Sequence, residues 1–198
     1  MSVPTRNEIT GLILAGGRAA RMGGVDKGLV DFKGKPLIAH VIERLQPQVG
    51  DLMISANRNL ERYRALGLPI VLDETSGLEP FPGPLAGWLA GLRACKTNWM
   101  VCVPCDAPFL AADLVHHLAD TLSNSRAAVA YLGQFMEPMF CLLHVDLAED
   151  LAQAVTHGER KAEAWLRGMG AAQAEFLHAE PFANLNSMED VQARDERP

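Results

Sequence analysis

Short apolar runs alternate with longer segments of helical periodicity along the chain. The run I-T-G-L-I-L at residues 9–14 predicts a buried strand that ends in a glycine loop. After Pro36, apolar side chains recur at the spacing of a helix over residues 36–45. The same patterns predict strands at 51–55, 69–72, 99–103, 127–132 and 139–144, and helices at 60–66, 84–94, 111–122, 145–155 and 162–166. The residues S-M-E-D at 187–190 are typical of a capping box that opens a last helix.

Strands that alternate with helices indicate right-handed βαβ units. The predicted fold class is therefore α/β: a Rossmann-like, doubly wound, mostly parallel sheet with helices on both faces. In such sheets, ligands bind in the crevice outside the carboxyl ends of the strands. We therefore expect the functional residues in the loops that follow the strands.

Length and composition narrow the class of protein. A chain of 198 residues with 48% apolar and 21% charged residues suits a single globular domain, whose ends at 1–8 and 195–198 we expect to be flexible. The net charge of −6 argues against general binding of nucleic acids or anionic membranes. No apolar run approaches the roughly 20 residues of a membrane span, and no secretory signal is recognisable. We expect a cytoplasmic protein.

The four cysteines are too few for a disulfide scaffold. Cys102 and Cys105 form C-x-x-C, and Cys141 and His144 form C-x-x-H, so a zinc site can be written from them. Cys102 lies on one predicted strand and Cys141 and His144 on another, however, and a three-residue spacing along a strand points side chains to opposite faces. We favour the interpretation that these cysteines are small buried apolar residues.

The loop after the first strand is rich in glycine and basic residues. Residues 14–28 read L-A-G-G-R-A-A-R-M-G-G-V-D-K-G and hold five glycines and three cations, among them Arg21 and Lys27, against one anion, Asp26. Glycines let backbone N–H groups approach a phosphate closely. Neither the Walker motif nor the G-x-G-x-x-G fingerprint is present. The loop predicts phosphate binding, and a flexible turn with solvated charges is the alternative.

The loops after the next strands also carry polar side chains. Asn57 could recognise a base or a ribose, or it could form an Asx turn. Asp73 follows the third strand, and P-G-P at 82–84 leads into a helix whose N-terminus could face an anion. Asp106 lies between two prolines after the fourth strand, where it could bind Mg²⁺ or cap the next helix.

Two polar groups near the C-terminus complete the set of candidates. Asn184 and Asn186 are two residues apart, so on an extended segment both amides face one side. They could bind a ligand or belong to the start of the last helix. Arg160 lies in a small basic cluster that could meet a second anion or be a solvated helix end.

These motifs, taken in order, resemble one known family. They are L-A-G-G-x-x-x-R-M-G-G-x-D-K-G-L at 14–29, G-K-P-L at 34–37, A-N-R at 56–58, P-G-P-L-A-G at 82–87, P-C-D-x-P at 104–108 and N-x-N-S at 184–187. The set is similar to that of the molybdenum cofactor guanylyltransferases and spans nearly the whole chain. The resemblance implies a nucleotidyltransferase domain that joins GMP from GTP to the phosphate of molybdopterin carrying molybdenum. The products would be the guanine dinucleotide cofactor and pyrophosphate, with Mg²⁺ as cofactor.

The resemblance also implies a role for individual residues. The GTP site would comprise Leu14, Ala15, Gly16, Lys27, Asn57, Asp73 and Asp106. Catalysis would fall to Arg21, Lys27 and Asp106, with Asp106 as the metal ligand, whereas Asn184, Asn186 and Arg160 would face the pterin. The family often reads N-x-N-R after the second strand, and this chain has Ser55 in place of the first Asn. Either Ser55 or Asn57 could therefore contact the nucleotide.

Other functions with similar chemistry stay open at this point. A sibling transferase could use CTP or a sugar-phosphate acceptor, and a non-catalytic carrier could bind the nucleotide or the cofactor without reaction. The presence of both Lys27 and Asp106 favours an enzyme over a carrier. On family grounds we expect a monomer that makes transient contact with molybdenum-insertion proteins and recipient molybdoenzymes.

Overall fold

The computed structural model describes residues 3–15, 26–73 and 83–195. The strands are β1 (Ile9–Leu14), β2 (Asp31–Phe32), β3 (Lys35–Pro36), β4 (Asp51–Ser55), β5 (Ile70–Val71), β6 (Trp99–Pro104), β7 (Ala127–Leu132), β8 (Phe135–His144) and β9 (Ala172–Phe176). The α-helices are α1 (Leu37–Leu45), α2 (Leu60–Arg64), α3 (Pro84–Ala94), α4 (Leu114–Thr121), α5 (Leu147–Thr156), α6 (Ala162–Gly168) and α7 (Met188–Asp195).

Seven of the strands form one sheet in the order β5-β4-β1-β6-β8-β7-β9. Strand β8 runs antiparallel to both of its neighbours, and the remaining neighbours pair in parallel. The prediction of a mostly parallel sheet is therefore confirmed. Because β1, β4, β5 and β6 are parallel, their carboxyl ends lie at one edge of the sheet. This edge is where ligands bind in open α/β sheets.

Helices cover both faces of the sheet, as predicted. Alternate residues of β1 point to opposite faces: Ile13 joins the core under α1, α2 and α4, whereas Leu12 joins the core under α3, α5 and α6. Both side chains are fully buried. A third, smaller cluster includes Phe32, Leu185 and Val191, and it packs the C-terminal α7 beside the β2–β3 hairpin.

Most predicted elements appear within a few residues of their expected bounds, but the hairpin and β9 were not predicted. The hairpin has two residues per strand and turns at Lys33 and Gly34, which have φ of 50° and 81°. Two successive positive φ values are typical of a tight hairpin turn, and the sequence K-G is a weak signal for it. In β9 only Ala174 is buried, so the strand depends on its pairing with β7 rather than on an apolar run.

The structure supports the interpretation of the cysteines as buried apolar residues. Cys102 and Cys141 are direct partners on β6 and β8 and are fully buried in one core, whereas Cys105 lies in the core on the opposite face. Within the three described ranges, no group of three or more His, Cys, Asp or Glu residues could hold a metal ion. None of the helices in these ranges has the length and apolar character needed to cross a membrane.

Candidate active site

The carboxyl ends of three central strands are joined by backbone hydrogen bonds at one point. The Ala15 N–H donates to the carbonyl of Ser55 at 2.8 Å, and the Cys105 N–H donates to the carbonyl of Leu14 at 3.1 Å. These bonds carry the sheet pairing one residue past the ends of β1 and β6. Leu14 and Ala15, both predicted nucleotide contacts, therefore lie between the loops that follow β4 and β6.

Lys27, Asp106 and Asn186 meet on one side of this point. The Lys27 Nζ donates to Asp106 Oδ2 at 3.2 Å and to Asn186 Oδ1 at 2.6 Å. Asp106 is buried, and the Lys27 side chain is 26% exposed. The structure thus brings together three residues that the sequence analysis assigned to catalysis and to the pterin. Two oxygen atoms converge on one cationic group.

The segment that carries Asn186 is held to β6 and to α7. The Leu185 N–H donates to the carbonyl of Asp106 at 2.9 Å, which places both asparagines beside the end of β6. Asp190 Oδ2 accepts from the backbone N–H groups of Asn186 and Ser187, and Ser187 Oγ accepts from the Asp190 N–H. This confirms the predicted capping box. The Oδ1 atom of Asn184 is buried and has no hydrogen-bond partner in the part of the chain that the structure describes.

Asp73 forms a second polar group with the residues after β4. Ser55 Oγ donates to Asp73 Oδ1 at 3.1 Å, and the Asp73 N–H donates to Asn57 Oδ1 at 2.9 Å. Ser55 and Asn57 therefore both hold Asp73, one through its carboxylate and the other through its backbone. Helix α3 passes close by: a Cβ built on Gly87 would lie 2.9 Å from Ser55 Oγ and 3.4 Å from Asp73 Oδ1.

Three further predicted site residues lie elsewhere or outside the described ranges. Arg160 Nη1 donates to the carbonyls of Val155 and Glu159, so its guanidinium binds the end of α5. Its own carbonyl lies 3.3 Å from the position of a Cβ on Gly83, beside the start of α3. Gly16 and Arg21 fall within 16–25, outside the described residues.

Burial and neighbouring carboxylates keep the thiol next to Asp106 neutral. The pKa of Cys105 is raised well above its usual value, chiefly by burial and then by the charges of Asp106 and Asp26. A thiol with a raised pKa is a poor nucleophile. Cys105 is therefore poorly suited to act as a nucleophile, and its side chain packs in the buried core under α1, α2 and α4.

The sequence analysis did not identify Tyr63 and Asp26 as residues that contact this region. It counted Asp26 only as the one anion of the loop and did not consider Tyr63. Tyr63 on α2 is fully buried, and its Oη donates to Asp26 Oδ1 at 2.5 Å. A tyrosine on the inward side of an otherwise charged helix was the available signal. Its partner, 37 residues away along the chain, could not be read from that pattern.

Comparison with known proteins gives one consistent result at the level of sequence. Residues 11–175 match the MobA-like NTP transferase domain. The chain is similar to the molybdenum cofactor guanylyltransferase of Bordetella pertussis, with 47% identity over 94% of this chain and 96% of that protein. It is also similar to the molybdenum cofactor guanylyltransferase of Cupriavidus pinatubonensis, with 45% identity over 96% of this chain and 98% of that protein.

Solved structures share the fold at low sequence identity. The molybdopterin-guanine dinucleotide biosynthesis protein A of Archaeoglobus fulgidus gives a TM-score of 0.74 at 22% identity, covering 94% of this chain and 97% of that one. A nucleotidyl transferase of Methanothermobacter thermautotrophicus gives 0.76 at 19% identity, covering 96% and 97%. The expected family, fold and enzyme class are therefore confirmed. The chain is a nucleotidyltransferase that belongs to the molybdenum cofactor guanylyltransferase family.

Proposed function

We propose that this protein transfers GMP from GTP to the phosphate of molybdopterin carrying molybdenum, with Mg²⁺ as cofactor. The products are the guanine dinucleotide form of the cofactor and pyrophosphate. One observation carries the proposal: Lys27, Asp106 and Asn186 converge at the carboxyl edge of the sheet, beside Leu14 and Ala15. A cation, a carboxylate and an amide at this edge are suited to two phosphorylated substrates.

The nucleotide would lie across the ends of β1 and β4. Leu14 and Ala15 offer apolar surface and backbone groups, and Asp73 offers a carboxylate that Ser55 and Asn57 hold in place. An ordered carboxylate can accept hydrogen bonds from the N–H groups of a guanine or from ribose hydroxyls. Gly16 and Arg21, outside the described residues, would add backbone N–H groups and a second cation toward the phosphates.

The donor set around Lys27 fits Mg²⁺. This ion prefers one or two carboxylates together with substrate phosphate oxygens and water. The Asp106 carboxylate would hold it, and the Asn186 amide oxygen already converges with that carboxylate on a cationic group. When bound, the ion would neutralise charge on the phosphate oxygens.

The reaction requires charge neutralisation and alignment more than acid–base chemistry. An oxygen of the acceptor phosphate attacks the α-phosphorus of GTP, a new P–O bond forms, and the bond to the β-phosphate oxygen breaks. Pyrophosphate leaves with the bonding electron pair. Lys27 and Arg21 would stabilise the leaving group, and no general base is needed because the attacking phosphate is already ionised near pH 7.

The pterin substrate would approach from the side of the C-terminal segment. Asn184 and Asn186 are held there by the bond between Leu185 and Asp106. The unpaired Oδ1 of Asn184 could accept a hydrogen bond from an N–H group of the pterin. The main chain of Arg160 meets the start of α3, so Arg160 would act at the margin of this site.

The proposal extends to the cellular setting, on the grounds of composition and family. We place the protein in the cytoplasm as a monomer and expect transient contact with molybdenum-insertion proteins and with the recipient molybdoenzymes. A reactive cofactor is best passed directly from one protein to the next, which such contacts would allow.

Binding of the four nucleoside triphosphates by calorimetry, with and without Mg²⁺, tests the proposal. We expect selective binding of GTP that Mg²⁺ strengthens, and loss of the Mg²⁺ effect in Asp106→Ala. Preference for CTP would indicate the cytidylyl sibling. Absence of binding by all four nucleotides would contradict the assignment of the loop and of Asp73. Binding without release of pyrophosphate, when molybdopterin is supplied, would indicate a carrier.

A further inference from the structure

The residues on both sides of Lys27 are fixed by a single buried hydroxyl. Tyr63 Oη donates to Asp26 Oδ1 at 2.5 Å, and a Cβ on Gly28 would lie only 2.8 Å from the same Oη. The Tyr63 hydroxyl therefore binds the side chain of Asp26, the residue before Lys27. It also lies directly beside Gly28, the residue after Lys27. The intervening residue has little freedom to shift along the chain.

A second donor and a short turn complete this anchor. Asn59 Nδ2 donates to Asp26 Oδ2 at 3.1 Å, so both carboxylate oxygens are occupied. The Asp26 carbonyl accepts from the Leu29 N–H at 3.0 Å and closes a 3₁₀ turn that begins at Lys27. Burial raises the pKa of Tyr63 far above its usual value, so the hydroxyl stays protonated and donates at all working pH values.

We propose that Tyr63 is a positioning residue that acts through the Asp26 carboxylate and fixes the Lys27 ammonium at the phosphate-binding edge. Asn59 supports the same carboxylate from the surface. This inference rests on the proposed function, because it assigns Tyr63 to the transfer of GMP by way of Lys27. Its physical content is that a buried hydrogen bond to the residue before Lys27 determines where the Lys27 ammonium lies.

Labelling of Lys27 tests the anchor without reference to activity. The whole protein is treated with an amine-reactive succinimidyl ester, and peptide mass spectrometry measures the rate at Lys27 relative to the exposed Lys96. Tyr63→Phe removes the hydroxyl and keeps the ring, so we expect relative labelling of Lys27 to rise severalfold. Tyr131→Phe is the matched control, because Tyr131 is also buried but lies in the core on the other face of the sheet.

Kinetics then test whether the anchor serves the reaction. In the transfer of GMP to molybdopterin, Tyr63→Phe should lower kcat at least about tenfold, since a small misplacement of a catalytic group is costly. Combined with Lys27→Ala, the same substitution should cause little further loss, because Tyr63 then has no group to position. A purely structural role would lower the melting temperature and leave the kcat of the folded enzyme unchanged.

A second variant keeps the test valid if Tyr63→Phe does not fold. Asn59 is exposed and has φ of 52°, a conformation that glycine adopts without strain, so Asn59→Gly removes the side chain and retains the turn. We expect it to raise Lys27 labelling and lower kcat in the same direction. Both effects should be smaller than those of Tyr63→Phe, because Tyr63 still holds one oxygen.

The outcomes separate this inference from the proposed function. The inference is overturned if Lys27 is labelled at the same rate in Tyr63→Phe as in Tyr131→Phe. It is also overturned if the loss of kcat in the double variant equals the product of the losses in Tyr63→Phe and Lys27→Ala. A wild-type protein that forms no guanine dinucleotide would instead overturn the proposed function. In that case the labelling rates still decide whether Tyr63 holds Lys27.

Discussion

Gly87 on α3 offers a sharp test of how the nucleotide site is built. A Cβ at this position would lie 2.9 Å from both Leu14 Cδ2 and Ser55 Oγ, whereas ordinary contacts begin at 3.4 Å. In Gly87→Ala each group must therefore retreat by the difference, 0.5 Å. That movement would stretch the 3.1 Å bond from Ser55 to Asp73. GTP binding would have to restore the displaced carboxylate at a cost of about 1.5 kcal/mol, the value of a hydrogen bond to a charged group, so GTP should bind about tenfold more weakly.

Gly91→Ala, one turn further along α3, is the matched control. A Cβ there would lie 2.6 Å from Leu12 Cδ2 and 2.8 Å from Met100 Sδ, deep in the core and away from the site. Overpacking costs about 1–3 kcal/mol and the helix gains about 1 kcal/mol from alanine, so each variant should lose at most about 2 kcal/mol. For a chain of this size, such a loss lowers the melting temperature by no more than about 8 °C.

Gly87→Ala and Gly91→Ala should therefore rank in opposite orders for melting temperature and for GTP affinity. The closer contacts at Gly91 predict that Gly91→Ala has the lower melting temperature, whereas the contacts at Gly87 predict that Gly87→Ala has the weaker affinity for GTP. Thermal unfolding and calorimetry on the same samples measure both. Equal affinities for GTP in the two variants would refute the assignment of Ser55 and Asp73 to the nucleotide site.

Three further predictions concern the metal, the pH dependence of stability and the cysteines. Asp106→Ala should lower Mg²⁺-dependent transfer at least about 100-fold. Asp51→Ala should retain activity, because Asp51 begins β4 and so lies at the edge of the sheet opposite to the site. Near-normal turnover in Asp106→Ala would contradict the metal assignment. The carboxylate of Glu159 accepts from the N–H groups of Arg160 and Lys161, and these bonds lower its pKa. Because the folded-state pKa lies below the unfolded value, this stabilisation exists above pH of about 4.3 and is lost as the pH falls. Melting curves of Glu159→Gln should therefore lie below wild type at pH 7 and converge with it in acid; a difference that persists in acid would exclude this cause. Dialysis against a zinc chelator should leave the melting temperature unchanged, since the buried cysteines lie in two separate cores, and stoichiometric zinc by elemental analysis would contradict this.

The elements that were predicted best are those whose own residues bury an apolar surface. Strands β1 and β6 and helix α3 appear within one residue of their predicted bounds, because continuous apolar runs and helical spacing persist over their full length. Strand β9 has only Ala174 buried, and its order comes from a neighbouring strand. Such pairing is a tertiary effect that the local pattern does not contain.

In the candidate site too, some features followed from the sequence and others only from the structure. Its location at the carboxyl edge followed from the βαβ pattern, and the motifs supplied Lys27, Asp106 and Asn186. The bond between Lys27 and Asn186 spans 159 residues, however, and no spacing rule connects them. The contact of Tyr63 with Asp26 likewise depends on how α2 packs against the loop. The sequence could nominate candidate residues one by one, whereas the partners of each residue required the structure.

The most direct test of the central claim is the product formed when GTP and CTP compete. The protein is incubated with Mg²⁺, molybdopterin carrying molybdenum and equal concentrations of both nucleotides, and the dinucleotide product is identified by mass spectrometry together with released pyrophosphate. We predict the guanine dinucleotide and one pyrophosphate for each product molecule. Formation of the cytosine dinucleotide, or no release of pyrophosphate, would contradict the account.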